Sequence, residues 1–451
     1  MLPFRHPARR LHHRRIDNWR RAIRAATLRG GRLAGEKAQR DRAERCLRIT
    51  PDIVWHRNGR GGARPAPLLA LLFLALCMGC FGPSAGAAAP SRRHATDRGS
   101  ATSAQSAIIV ARELQSQGIP GLAVAVALHG RIVWSAGVGY ADVEQHVRAR
   151  PDTLFRIGST SKSLTAVALV KLRQEGRLDL DAPVQRYVPS FPDKGAPITA
   201  RLLAGHLSGI RHYKLEETLS RPGQWAPVDR HYDSVVDALS IFEDDPLVGP
   251  PGSKFSYSSF GYNLLGAVIE DASGKDYLAY MRDDVFAPLG LHDTVPDQNS
   301  DIVERRSRFY TYTVGANQWA PGRPHALANA GYVDDSYKWP SGGFLSSVDD
   351  LARFGSALLT PGSVLNSESL SLLFTSQKTS AGVETNYGMG FHIGRSVKGQ
   401  RIYEHGGGVV GGTVVFVIYP DDGLVVAIAA NLTSAPITNS DAQRFADIFL
   451  R

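Results

Sequence analysis

Cysteine is nearly missing from this 451-residue chain: Cys46, Cys77 and Cys80 are the only three. Everything after Cys80 therefore has no disulfide, no thiolate metal site and no cysteine nucleophile, a composition that an oxidising compartment tolerates. Long apolar runs are as scarce. The one that stands out, residues 68–81 (LLALLFLALCMGCF), falls short of the roughly 20 residues of a membrane-spanning helix. Excess positive charge is absent from most of the chain too. Residues 1–64 carry 18 Lys/Arg against 5 Asp/Glu, so that residues 65–451 hold a net −3 of the chain's +10. The high pI belongs to the first segment, which sets aside a nucleic-acid-binding reading of the rest. There is no H-E-x-x-H, no Walker loop and no dinucleotide fingerprint. G-x-S-x-G occurs at Gly82–Gly86, with no strand before it to build a nucleophile elbow.

What is present is ordinary for a globular protein, with 43% hydrophobic and 21% charged residues. The length points to a leader followed by one large or two-part domain. Arg57, Arg60 and Arg64 precede the apolar run, and Ala85-Gly-Ala-Ala-Ala89 follows it. Basic, apolar, small is the order of a secretory signal peptide, so an exported protein is expected. Residues 1–53 fit no export signal. The expected start is Val54, read from a GTG codon, with 1–53 untranslated; a translated basic arm is the alternative. Gly79-Cys80 has the outline of a lipoprotein site, but Cys77 stands where an aliphatic residue is expected, so lipidation at Cys80 is the rival to ordinary cleavage. Contact with a membrane is expected only through this leader. Residues 1–89 are thus assigned to arm and signal, 90–104 to a linker and 105–451 to the folded domain.

Within that domain, residues 105–117 have helical spacing and end at Gly118, Pro120 and Gly121. Two β-rich runs, Leu122–Leu128 and Arg131–Gly137, flank His129-Gly130, a hairpin signal. Thr413–Tyr419 and Leu424–Ala430 repeat the pattern near the other end, and 440–450 read as a closing helix. Both termini are therefore expected to build one antiparallel sheet covered by helices. The middle reads as helical: Ser159–Glu175 stopped by Gly176, Tyr262–Ala272 closed by Gly274, and Ser347–Leu359 with Ser347 as cap and Asp350 as an acidic capping-box partner. Residues 210–255, rich in Pro, Trp and charge, read as loops near a site.

Ser159-Thr160-Ser161-Lys162 places a hydroxyl and an amine three residues apart, on one face of a helix. At a helix N-terminus the dipole also favours an alkoxide-like charge on Ser159. The spacing alone fits a solvated helix face equally well. The surroundings decide. The string FRIGSTSKSLTA (155–166), with RLDLDAPVQRYVPSFP (177–192) and ITARLLAGHLSGIRHY (198–213), resembles the serine β-lactamase-like family, which includes class C β-lactamases, D-aminopeptidases and related esterases and peptidases. Arg211-His-Tyr213, Phe260–Leu265 and Ser336–Trp339 with Gly342–Leu345 are similar to its mitochondrial branch in animals. The resemblance covers about 105–451.

It implies an α/β (α+β) fold, a β-lactamase/transpeptidase-like antiparallel sheet flanked by helices, with a mostly helical second subdomain at about 185–335. It also implies the roles of the site residues. Ser159 is the nucleophile. Tyr257, in Pro251-Gly-Ser-Lys-Phe-Ser-Tyr257, takes the place of the catalytic tyrosine; beside Lys162 it is expected to approach a phenolate and accept the Ser159 proton. Ser259 stands at the position of an amide side chain that contacts substrate. His405, in His405-Gly-Gly-Gly408, is expected to offer a switchable charge or hydrogen bond. Gly407 lets backbone approach an acyl group, and the N–H groups of Gly408 and Ser159 form the oxyanion hole. Gly406 lacks the hydroxyl that relatives use for a substrate carboxylate. His206 is expected to fix a turn rather than to do chemistry. No metal or cofactor is implied. The expected reaction is acyl transfer on a small-molecule or peptide substrate. A peptidase or amidase, on D-amino-acid or cell-wall peptides, is favoured; a carboxylesterase and a true β-lactamase are the enzymatic rivals. A non-catalytic binder or self-assembling scaffold is the alternative of another class.

Overall fold

The structure, a computed structural model, describes residues 93–214, 217, 226–312 and 326–450. The basic arm, the signal-peptide run and Cys80 lie outside the described residues, as does part of the 210–255 loop segment.

Helix α1 (Arg93–Gln115) opens the described chain. It starts inside the stretch 90–104 that composition suggested was a linker. Ala107, Ala111 and Leu114, all fully buried, anchor it along one stripe. Once those turns exist, each added residue costs little, because the nucleus is already formed. The main sheet uses β1 (Gly121–Leu128), β2 (Arg131–Asp142) and β3 (Val147–Arg148) from the N-terminal side. Shorter strands follow: β4 (Phe155–Arg156), β5 (Val295–Pro296), β6 (Tyr310–Tyr312), β7 (Leu327–Asn329) and β8 (Phe344–Ser346). The C-terminal part supplies β9 (His392–Arg395), β10 (Arg401–Glu404), β11 (Gly407–Val409), β12 (Gly412–Tyr419) and β13 (Leu424–Ala430). The sheet order is β3-β2-β1-β13-β12-β10-β9, with β11 on β12. The termini meet at its centre, where β1 and β13 pair antiparallel from Leu122↔Ala430 to Leu128↔Leu424. His129 and Gly130 have φ of 49° and 81°, the two left-handed residues that a two-residue type I′ hairpin needs.

Side chains alternate across this sheet. Leu122, Val124, Val126, Val426 and Ile428 face α1 and the closing helix; Ala123, Ala125, Ala127, Ala427 and Phe416 face the other core. Against that second face lies α5 (Val348–Ala357), and α2 (Ser161–Gln174), α3 (Ala200–Ala204) and α4 (Ser259–Ser273) fill the same core beyond it; α6 (Asn439–Phe449) is the closing helix. The alanines keep this face shallow. At Gly355 of α5 an added Cβ would stand 2.7 Å from Val425, so helix backbone rests directly on the sheet. Ser347 caps α5 by accepting the Asp350 N–H at 3.1 Å. The Asp350 carboxylate does not reach back to complete a capping box. It accepts instead from the Asp293 N–H and Thr294 Oγ1, tying the helix to the neighbouring loop.

Among its described residues, 185–335 contains less helix than expected. Helical stretches there are α3, α4 and the run Tyr277–Phe286 with short 3₁₀ turns; the other described residues are loop with β5, β6 and β7. Pro246, Pro250 and Pro251 interrupt any helix across that stretch. Apolar residues such as Phe191, Leu239 and Phe242 reach the core singly from loops.

Candidate active site

Strand β4 pairs with β8 and delivers the chain into the 3₁₀ turn Gly158–Thr160, which runs straight into α2. Gly158 has φ of +48°, and an added Cβ would lie 3.0 Å from the nitrogen and oxygen of Gly408. From the other side, a Cβ on Gly407 would stand 1.9 Å from the Ile157 carbonyl oxygen. Strand β11 is therefore laid against the turn with no room for a side chain between them, and Thr160 Oγ1 closes the contact by donating to the His405 carbonyl at 3.1 Å. Gly408 itself borders open space. Gly158 and Thr160 are buried, whereas Ser159 between them is accessible.

Lys162 is fully buried, which removes the solvated-face reading of the Ser/Lys spacing. Its Nζ is 3.1 Å from Ser159 Oγ, 3.1 Å from Ser259 Oγ and 2.7 Å from the Ser341 carbonyl. Burial, and secondly the charge of Lys338, hold its pKa well below the ordinary lysine value. A neutral amine has two N–H groups and one lone pair, enough to serve the Ser341 carbonyl, Ser259 Oγ and Ser159 Oγ at once. Ser259 is itself buried, at the first turn of α4, with its N–H donated to His212 Nδ1 at 3.2 Å. It touches Lys162 rather than lying open to a substrate.

Tyr257 is hydrogen-bonded to Ser159, and the Lys162 ammonium position is 5.0 Å from its ring centroid. Burial pushes the phenol pKa up, against the pull of the Ser159 bond. Burial thus works against the expected drop toward phenolate. Tyr257, Ser159 and Lys162 are joined by consecutive hydrogen bonds.

Of the two roles expected of His405, a switchable charge or a hydrogen bond, the structure shows the second. His405 is 2% exposed, and burial lowers its pKa to about 3. It is neutral at physiological pH and carries no switchable charge. Nδ1–H donates to the Gly406 carbonyl at 2.8 Å and Nε2 accepts from the Tyr387 hydroxyl at 3.0 Å, so the ring is a strut for the chain entering β11. His206 accepts the Ser258 N–H at 3.1 Å on Nδ1, in a left-handed turn of φ +59°, which fits the turn-fixing reading. Sequence reasoning missed Tyr387, the Ser341 carbonyl and Lys338. Only the Ser336–Trp339 string pointed toward any of them. Among the described residues no group of three or more His, Cys, Asp or Glu is placed to hold a metal ion.

The beta-lactamase family profile matches residues 107–448. The chain is 34% identical over 428 residues to the human serine beta-lactamase-like protein LACTB, mitochondrial, covering 73% of this chain and 76% of that protein. Among solved structures it is similar to the octameric penicillin-binding protein homologue from Pyrococcus abyssi, with 27% identity, a TM-score of 0.64 and coverage of 77% of this chain and 76% of that one. A D-stereospecific amidohydrolase from Streptomyces sp. matches at 25% identity and a TM-score of 0.62, over 76% of this chain and 97% of that one. The family match spans the nucleophile turn, the buried lysine and the glycine strand alike, and the chain belongs to the beta-lactamase family of serine hydrolases.

Proposed function

We propose that the protein is an amidase or peptidase working through an acyl-enzyme on Ser159. The observation that carries this is the buried Lys162 Nζ, 3.1 Å from Ser159 Oγ and held by Ser259 Oγ and the Ser341 carbonyl; as a neutral amine it offers Ser159 a lone pair. Ser159 Oγ attacks the carbonyl carbon of an amide or ester as its proton passes to Lys162. The N–H groups of Ser159 and Gly408 hold the oxyanion. Tyr257 gives its O–H proton to the leaving nitrogen, the C–N bond breaks, and the Lys162 ammonium beside the ring returns a proton to the phenolate. Water then adds to the acyl-enzyme, giving its proton back along the same chain. His405 and Ser259 act in this scheme by holding β11 and Lys162.

Amide substrates are favoured over esters by the state of Tyr257. An amine leaves only once it is protonated, and a phenol kept protonated by its surroundings is a proton donor. The similarity to a D-stereospecific amidohydrolase agrees with this reading. A carboxylesterase is the second reading, because Gly406 offers no hydroxyl and Ser259 no exposed amide for a peptide's polar groups. Parallel turnover of D-phenylalanine p-nitroanilide and a p-nitrophenyl ester, with mass mapping of a fluorophosphonate label, separates the two. Labelling at Ser159 with anilide turnover supports the amidase; labelling with ester turnover alone leaves the esterase. Export, proposed from the basic–apolar–small leader, is checked by fractionating cells that express the full chain.

A further inference from the structure

A second lysine lies beside the base and has no part in the scheme above. Lys338 ends the 3₁₀ turn Asp335–Lys338, which runs into the turn Trp339–Gly342, and Ser341 of that turn supplies the carbonyl that takes a Lys162 N–H. Ser341 Oγ in turn donates to the Lys338 carbonyl at 3.3 Å. The Lys338 stem folds back along Gly342: a point where Gly342 would carry a Cβ is 3.6 Å from Lys338 Cδ and 3.6 Å from the Gly158 carbonyl carbon. A side chain on Gly342 would fill the gap between the two. Lys338 is only 8% exposed, and its Nζ is fixed by Asp335 at 2.8 Å. Asp335 lies 3.7 Å from Arg156, which is itself paired with Asp297 at 2.6 Å. This buried ladder of charges ends at the nucleophile turn.

Around Lys162 the other polar and titratable groups are Ser159 on its own helix, Tyr257, Ser259 and Tyr262 on and before α4, and His206, His212 and His405 on the loops. The three histidines have lowered pKa values and the tyrosines raised ones, so all are neutral near pH 7. Lys338 is the group that brings a positive charge. We propose that Lys338 is a positioning residue acting through Lys162: its anchored charge disfavours an ammonium there, keeping the amine ready as a base and driving the captured proton on toward the leaving group. A nearby like charge is a recognised way to depress a lysine, and it agrees in direction with the Lys338 contribution at Lys162.

The inference rests on the Ser159/Lys162 reading, and the test separates the two. The full chain and its Lys338→Met and Lys338→Arg variants are compared by kcat/KM against pH on a p-nitrophenyl ester. Lys338→Met is expected to move the acid limb to higher pH, losing about tenfold on that limb while recovering on the alkaline plateau, and Lys338→Arg to restore the profile. An equal loss at every pH, or an unmoved limb, overturns the inference. Asp335→Asn provides a second variant of opposite sign. With the anchoring carboxylate neutral, Lys338 repels more strongly and the limb is expected at lower pH; an upward shift contradicts the inference even where Lys338→Met does not fold. If Ser159→Ala keeps its activity, the underlying reading fails; if Ser159 is essential and the limb is unmoved, only the role of Lys338 fails.

Discussion

Gly407 and Gly408 are neighbours in one strand, yet alanine should be ruinous at the first and tolerated at the second. A Cβ on Gly407 would stand 1.9 Å from the Ile157 carbonyl oxygen and 3.0 Å from Thr160 Oγ1, whereas one on Gly408 meets nothing within 4 Å. A carbon–oxygen contact normally stays beyond about 3.3 Å, so Gly407→Ala must push β11 off the nucleophile turn by more than 1 Å, about the displacement that can cost 10²-fold in rate. Neither partner can swing aside easily: Ile157 is fully buried backbone that donates to the Phe344 carbonyl at 3.1 Å, and β11 is paired to β12. Overpacking of this kind costs about 1–3 kcal/mol in stability. Gly407→Ala is expected to lower kcat on a p-nitrophenyl ester about a hundredfold and the melting temperature by several degrees. Gly408→Ala keeps its N–H and is expected within about threefold of the parent on a small acetyl ester, since surface changes of this kind rarely exceed 0.5 kcal/mol. Initial rates and thermal melts of the purified pair decide. Near-normal rate and stability in Gly407→Ala would refute the view that β11 is clamped against the turn, and with it the argument that places Gly408 at the oxyanion.

Other outcomes follow from the same geometry. Tyr387→Phe removes the donor to His405 Nε2 and leaves a buried acceptor unpaired, a cost of about 1–3 kcal/mol; a kcat reduced about tenfold at unchanged KM is expected, and no change would make the strut dispensable. Ser258→Ala removes the cap that accepts the Gly261 N–H at 2.9 Å and the bond to the Arg211 carbonyl at 2.7 Å, so urea unfolding should show about 1 kcal/mol less stability. Because the Lys162 pKa is lowered, the amine is neutral above its folded value; kcat/KM should fall as pH drops through that value and hold toward the alkaline side, the reverse of a mechanism needing an ammonium. Benzylpenicillin should be turned over less efficiently than a small ester, since Gly406 lacks a hydroxyl and Ser259 is buried under Lys162; equal kcat/KM for the two would sink that expectation.

Local rules left their mark plainly in the sequence. The two hairpins, the cap at Ser347, the left-handed stop at Gly274 and the Ser159/Lys162 spacing are decided by contacts within four residues, and each can be read from residue types. The meeting of the terminal hairpins was suggested by a helix and hairpin at one end and a hairpin and helix at the other, with the continuous apolar runs of buried strands. The loops of 185–335 are less legible, because described apolar residues such as Phe191 and Phe242 reach the core from loops, where no period of 3.6 or 2 marks them. Only the tertiary structure decided the state of the chemistry. Ser341, 179 residues from Lys162, and Ser259, 97 residues away, hold its Nζ. Tyr387 and burial make His405 a neutral strut, and burial keeps Tyr257 protonated. Residue type names a titratable group; whether that group is charged depends on the water it loses and the dipoles that replace it, and those come from parts of the chain that meet only on folding.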